Sequence, residues 1–314
     1  MHVPDGFLSL QTAVGAAAIS AVVVGECVRR LHRTLEPRQV PLMGLAATFV
    51  FAAQMLNFPV AGGTSGHLLG ATLAAVLLGP AAAVLVMIAV LVVQCLVFAD
   101  GGLLALGANA LNMAVIGSLA GGGIYRLVRR LGVGLRGTVT AAAFAAWCSV
   151  LLAATACAVE LALSDTAPAR LVLPAMIGVH AVIGLGEAVI TALVLVSIAA
   201  IRPELVGGGE PTTHRRTSLV PGGLLLALAL AALGAPFASS LPDGLEWVAT
   251  RFGFEHRAVA TAGAPLPDYA VPGIGSPLLA TALAGVAGTL LMLGVSYLLG
   301  RLLVPSGRRQ RSET

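Results

Sequence analysis

The sequence predicts an all-α fold, a polytopic membrane helical bundle of about nine transmembrane helices, seven in an N-terminal module and two in a C-terminal unit. Three observations predict it. Hydrophobic residues make up 58% of the 314 residues and charged residues only 10%, where a water-soluble domain carries about 25% charged. Apolar runs near the length that crosses a hydrocarbon core of about 30 Å recur along the chain. Aromatics are 4% while Gly alone numbers 38, a composition for helices that approach closely through small side chains.

In order, the expected spans are 8–28, 41–56, 67–79, 81–98, 103–125, 138–162, 171–200, 219–239 and 276–299. No basic residue precedes the first run, and Arg29, Arg30 and Arg33 follow it. That pattern argues against a signal peptide and sends the N-terminus outside. Runs 41–56 and 67–79 are short; they cross a thinned region or dip in and return. With nine spans the arginines alternate in the expected sense, with only Arg170, Arg251 and Arg257 outside, and the C-terminus is cytoplasmic. Segment 201–218, with three consecutive glycines, two prolines and two adjacent arginines, reads as a cytoplasmic linker. It divides a module, 1–200, from a two-helix unit with a cytoplasmic tail, 219–314. No internal repeat of the kind built into many secondary transporters stands out.

Several chemistries are excluded. All 18 basic residues are Arg, so there is no Walker lysine and no Schiff-base lysine. The net charge of +4 is spread over loops between spans and does not argue for nucleic acid. Cys27, Cys95, Cys148 and Cys157 lie inside apolar runs, none in a CxxC pair, and act as small hydrophobes.

The chemistry-bearing segment is the start, Met1-His2-Val3-Pro4-Asp5-Gly6-Phe7. His2 is bulky, so Met1 is expected to be retained. Its amine, the His2 amide nitrogen and the His2 imidazole then close a five- and a six-membered chelate ring around one cation. A nearly planar nitrogen set suits Ni(II) or Cu(II). Pro4-Asp5-Gly6 is a turn signal that folds the segment back. His67, after Gly62-Gly63-Thr64-Ser65-Gly66, is the natural fourth donor, because glycines let a backbone bend toward a ligand and His67 shares the outer face. Against this stand a frayed terminal histidine and a hydrogen-bonded helix-start histidine.

The opening through Ser9 resembles the CbiM/NikM family, the cobalt- and nickel-capturing membrane subunits of energy-coupling-factor (ECF) transporters. The resemblance continues through Pro41-Leu42-Met43-Gly44, Phe51 to Met55, Asn57 to Gly70, Asp100 to Asn109 and His180 to Ala188. It implies metal held by Met1, His2 and His67, and an extra N-terminal helix. It also implies partners, a transmembrane coupling subunit and cytoplasmic ATPases, in keeping with the missing lysine. Leu241-Pro242-Asp243-Gly244-Leu245-Glu246 resembles the PDGLE signature of the accessory small subunit, fused here in one chain. That loop is expected to pack on the capture module or to assist loading, with Asp243 and Glu246, and less so His256, as accessory residues; the plain alternative is a Pro-Asp-Gly turn opening an interfacial helix.

Gln54, Asn57, Thr64, Ser65, Asn109 and Asn112 are candidates to support a ligating imidazole, which usually gives its other N–H to an acceptor. His180 and Glu187 share one helix face; ionisable groups inside a membrane default to functional candidates, although a packing pair is the preferred reading. Glu160 is expected to reach water. The sequence thus reads as a non-enzymatic multi-pass component of a bacterial or archaeal cell membrane. It would bind Ni2+ or Co2+ outside and deliver it inward with ATP hydrolysed by partners, with no prosthetic group and no nucleic acid. The rivals are an ion-coupled secondary transporter using Glu187 and His180, and a membrane metal sensor or scaffold.

Overall fold

The computed structural model describes residues 1–206, 219–259 and 263–304; most of the expected linker and the tail beyond 304 lie outside the described residues. The chain runs α1 (Leu10–Thr34), α2 (Val40–Gln54), a hairpin of β1 (Phe58–Val60) and β2 (Thr64–Gly66), α3 (Ala71–Leu78), α4 (Pro80–Phe98), α5 (Leu106–Asn109), α6 (Gly117–Val128), α7 (Gly134–Leu163), α8 (Ala169–Ile201), α9 (Leu219–Ala229), α10 (Gly244–Phe252) and α11 (Pro277–Leu303). A π-helical turn, Ala110–Ile116, joins α5 to α6.

Seven described helices are long and apolar enough to cross a membrane: 10–34, 80–98, 106–131, 134–163, 169–201, 220–237 and 277–303. The two weakest of the nine expected runs, 41–56 and 67–79, hold shorter helices. The 15 residues of α2 and the 8 of α3 rise about 22 and 12 Å at 1.5 Å per residue, short of a full core. The 67–79 run is therefore a loop followed by a short buried helix, and the pair Gly79 (φ +85°) and Pro80 leads straight into α4, against which α3 packs.

α4 is the centre of the bundle, with 72% of its apolar window buried, including fully buried Met87 and Phe98. Helices at the rim turn large side chains outward, Val22, Leu185, Leu193 and Leu298 among them, as lipid-facing surfaces do. Small residues set the spacing: a Cβ on Gly107 would lie 2.3 Å from that of Ala17 on α1, and one on Gly288 of α11 would lie 2.4 Å from the Phe51 ring. At one end of the bundle His32 Nδ1 meets the Leu303 carbonyl (3.2 Å). At the other end the first nine residues, the hairpin and the segments 99–105, 164–168, 238–259 and 263–276 pack on one another. Thr166 Oγ1 donates to the Phe7 carbonyl, Phe7 packs edge-on against Phe254 and Asp5 bridges Val259.

Candidate metal centre

The N-terminus is held, not frayed. The Asp5 carboxylate accepts from the amides of Leu103 (3.0 Å), Leu104 (2.9 Å) and Ala105 (3.1 Å), in the turn that leads into α5. Gly6 adopts φ +90°, and a Cβ there would fall 2.0 Å from the Arg257 carbonyl oxygen. Val3, fully buried, donates to Asn109 Oδ1 (2.8 Å) while its carbonyl accepts from Asn109 Nδ2 (3.1 Å) and Gly102 N (2.9 Å). These bonds carry Met1 and His2 back over the bundle end.

There the Met1 amine lies 2.9 Å from His67 Nε2, and the His2 and His67 rings stack with centroids 5.3 Å apart at 23°. His67 Nδ1 donates to the Leu68 carbonyl (3.0 Å), leaving the Nε2 lone pair facing the amine. The loop behind His67 is fixed by Glu187 of α8, whose two oxygens accept from Leu69 N (2.5 Å) and Gly70 N (2.9 Å). The His2 ring meets Asp100 Oδ1 through Nδ1 (3.1 Å) and Gln94 Oε1 through Nε2 (3.1 Å). Gln94 in turn donates to Gln54 Oε1 (2.8 Å), and Gln54 donates to the Leu69 carbonyl (2.8 Å). A buried polar chain therefore joins the two histidines. Among the described residues no three His, Cys, Asp or Glu side chains converge on one point; the donors brought together are an amine and two imidazoles, with the His2 amide beside them.

Burial, followed by the neighbouring amine and His2, pushes His67 down to about 3, so the ring is neutral with its lone pair available. Burial likewise lowers His2. For the Met1 amine burial opposes the charge, but Asp243 and Asp100 outweigh it and the pKa is raised. Asp243 shows the reverse: burial would raise it, and the amine and His67 hold it well below the usual carboxylate range.

Asp243 arrives from the C-terminal unit, its Oδ2 at 2.5 Å from the Met1 amine. Each letter of the Pro-Asp-Gly-Leu-Glu run has a task. The Pro242 carbonyl accepts from Ser65 N (2.8 Å) and Thr64 Oγ1 (3.0 Å). Asp243 Oδ1 caps α10 at Leu245 N and Glu246 N, and Glu246 Oε2 closes the capping box on Asp243 N (2.8 Å). Gly244 packs so closely that a Cβ would meet His180 Cε1 at 2.7 Å, and Leu245 is buried. Met1, His67, His180, Asp243 and Gly244 line a cavity of about 20 Å³, with His180 Nδ1 turned away onto the Met176 carbonyl (2.8 Å).

Some expected residues stand elsewhere. Thr64 and Ser65 bond the C-terminal unit, not His67; Ser65 Oγ donates to the Leu241 carbonyl (2.7 Å). Asn57 meets that unit through its carbonyl, which accepts from Ser239 N. Asn112 lies one turn beyond Asn109 and donates to Glu160 Oε2 (2.6 Å), so it is removed from the imidazoles. Glu160 does not reach water: it is 6% exposed. His256 is exposed. Sequence reasoning missed Gln94 and Asp100 as partners of His2. Gln94 carried a usable signal, an amide inside the most apolar helix, and Asp100 a second, a carboxylate directly after that helix.

With the geometry in place, the comparisons with known proteins decide the family. The family described as cobalt uptake substrate-specific transmembrane region, CbiM, matches residues 2–205, and the PDGLE domain matches 217–305. The chain belongs to the CbiM/NikM family. As a CbiM/NikM-type component it is a membrane part of a cobalt or nickel transporter, fused to a PDGLE unit. It is 39% identical to the "Putative fused nickel transport protein NikMN" of Archaeoglobus fulgidus, over 87% of this chain and 90% of that protein. It is 34% identical to the fused nickel transport protein NikMN of Rhodobacter capsulatus, over 87% and 84%. A crystal structure of a truncated transition metal transporter superposes with a TM-score of 0.59 at 36% identity, covering 64% of this chain and 99% of that one.

Proposed function

We propose that this chain captures Ni2+ or Co2+ at the outer face through four nitrogens: the Met1 amine, the His2 amide, His2 Nδ1 and His67 Nε2. The observation that carries this reading is the approach of the chain's first atom to a distant imidazole, 2.9 Å between Met1 N and His67 Nε2, with the two rings stacked beside it. Loading displaces the amine proton and the His2 amide proton; His2 keeps a proton on Nε2, where Gln94 Oε1 accepts it. Asp243 and Asp100, one at the amine and one at the ring, supply negative charge next to the incoming cation. The planar nitrogen set and the fused nickel relatives favour nickel as cargo.

In this reading residues 1–200 form the capture module, 201–218 a cytoplasmic linker, and 219–314 an accessory unit whose loop covers the site. The N-terminal end of the bundle faces outward and the arginine-rich end faces the cytoplasm, in line with the positive-inside rule. Release inward depends on a coupling membrane subunit and ATPases in other chains. Glu187 supports this assignment over an ion-coupled carrier, because both of its oxygens are engaged by backbone amides. The test is Ni2+ and Co2+ binding by the purified chain: His2→Ala and His67→Ala each abolish it in a folded protein, and undiminished affinity in either refutes the donor set.

A further inference from the structure

Asp100 stands between the two halves of the molecule. Its Oδ1 meets His2 Nδ1 at 3.1 Å, and its Oδ2 accepts from the Tyr269 hydroxyl at 2.5 Å. Tyr269 belongs to the C-terminal unit and has a main-chain conformation that bulky L-residues rarely adopt: φ is +55°, after +52° at Asp268. Such outliers persist where the surroundings hold them. Here the ring lies face to face with Phe98, centroids 4.7 Å apart at 17°, and tilts against Phe51 at 6.2 Å. The loop is pinned before and after the ring, Leu266 N donating to the Val97 carbonyl (2.9 Å) and Val271 N to the Ala280 carbonyl (3.2 Å). The phenol is thus aimed at Asp100 by a packed aromatic stack. Burial and the adjacent carboxylate push its pKa well above the ordinary value, so it keeps its proton and donates.

The His2 ring chelates only when Nδ1, its own amide and the amine share a plane. In the metal-free chain Gln94 meets that ring at Nε2 and Asp100 at Nδ1; once the cation takes Nδ1, Gln94 keeps the Nε2 proton and Asp100 stays beside the site as a negative charge. Gln94 is fully buried and fixed by Gln54. Asp100 is 27% exposed and, without Tyr269, is free to turn to water. Groups one step removed from a metal set the orientation of its ligands. We propose that Tyr269 is a positioning residue of the capture site: by holding Asp100 it keeps a carboxylate beside His2, which presets the ring before loading and offsets the charge of the cation after it, so that the accessory unit completes a site whose donors all lie in the other module. This rests on the Met1, His2 and His67 reading above.

The test uses the full-length chain and Ni2+ alone, competed against a chelator, with Cu2+ as a spectroscopic probe. Tyr269→Phe removes one hydroxyl and keeps the stack. It lowers Ni2+ affinity about tenfold, leaves the metal-free melting temperature in place, and broadens the nitrogen hyperfine pattern in the electron paramagnetic resonance of bound Cu2+. Asp100→Asn also weakens binding, and adding Tyr269→Phe to it has little further effect, as for residues acting in series. Wild-type affinity with an unchanged Cu2+ spectrum in Tyr269→Phe, or full additivity with Asp100→Asn, overturns the proposal. His2→Ala separates the two levels: if it abolishes binding while Tyr269→Phe does nothing, only the Tyr269 role falls; if it binds as wild type, the donor set falls and the Tyr269 role with it.

Discussion

The two histidines of the proposed capture site are fixed in opposite ways. His67 is set by main chain: a glycine-turned hairpin leads to it, and the amides just after it are clamped by Glu187 while Gln54 holds the Leu69 carbonyl. Those two side chains are 0% and 5% exposed and belong to the same module. His2 sits on a free chain end and is held by side chains, Gln94 from α4 and Asp100 beyond it, with Asp243 and Tyr269 of the C-terminal unit engaging its neighbours. One arm is prebuilt and the other is assembled by docking. A site that must release its cargo needs one element that opens at low cost, and such elements come from the less stable parts of a fold.

Breaking the assembled arm at its covalent root has the largest effect. Acetylating the Met1 amine removes that nitrogen and the five-membered ring it closes with the His2 amide; Ni2+ affinity falls more than about a hundredfold in chelator competition, because one donor and its chelate ring are lost together. Breaking the prebuilt arm costs less. Glu187→Gln removes the charge from two buried hydrogen bonds, and bonds to charged groups contribute about 1.5–3 kcal/mol. Affinity drops about tenfold or somewhat more, with a lowered melting temperature that Tyr269→Phe does not share. Equal melting temperatures for the two variants would erase the distinction between the arms.

A pH titration sharpens the same contrast, since only the chain end carries protons that the cation must displace, one on the Met1 amine and one on the His2 amide. The Met1 amine is raised above its ordinary 8.0, so below that value loading releases both the amine and the His2 amide proton and Ni2+ affinity falls by up to about a hundredfold per pH unit, easing to about tenfold once the amine is neutral, while neutral His67 adds nothing until about pH 3. For the metal-free protein the sign reverses. The raised amine contributes stability that is complete below 8.0 and lost as pH rises through the higher folded value. Asp243, depressed below its ordinary 3.8, contributes stability present above 3.8 and lost as pH falls through its folded value. Metal-free melting is therefore highest between these limits and declines above pH 8, where binding strengthens.

How much of this was legible differs by arm as well. The helical membrane fold and the PDGLE unit were readable because hydropathy and motif spelling are local, and the nearness of Met1 and His2 to His67 because the expected topology put them on one face. The two short runs stayed open between crossing and dipping because composition does not distinguish the two; α3 is strongly apolar but only 8 residues long. The supports of His2 were not readable. Asp100 and Tyr269 are 169 residues apart, and their meeting depends on how α11 and its loop pack on Phe98. Thr64 and Ser65 were placed beside the metal because they precede His67, but the Leu241 and Pro242 carbonyls of the other unit take their hydroxyls and the Ser65 amide.

The smallest effect is expected at that seam. Ser65→Ala removes the hydroxyl that donates to the Leu241 carbonyl, while Ser65 N and Thr64 Oγ1 still hold the Pro242 carbonyl. One neutral hydrogen bond contributes about 1 kcal/mol, roughly a fivefold change in the docked population. Hydrogen exchange across α10 should therefore quicken about fivefold, with Ni2+ affinity changed less than about twofold, because a loop docked most of the time still completes the site. A loss of affinity as large as the gain in exchange would mean that docking and loading are one event, and the assembled arm would then have no existence apart from the accessory unit.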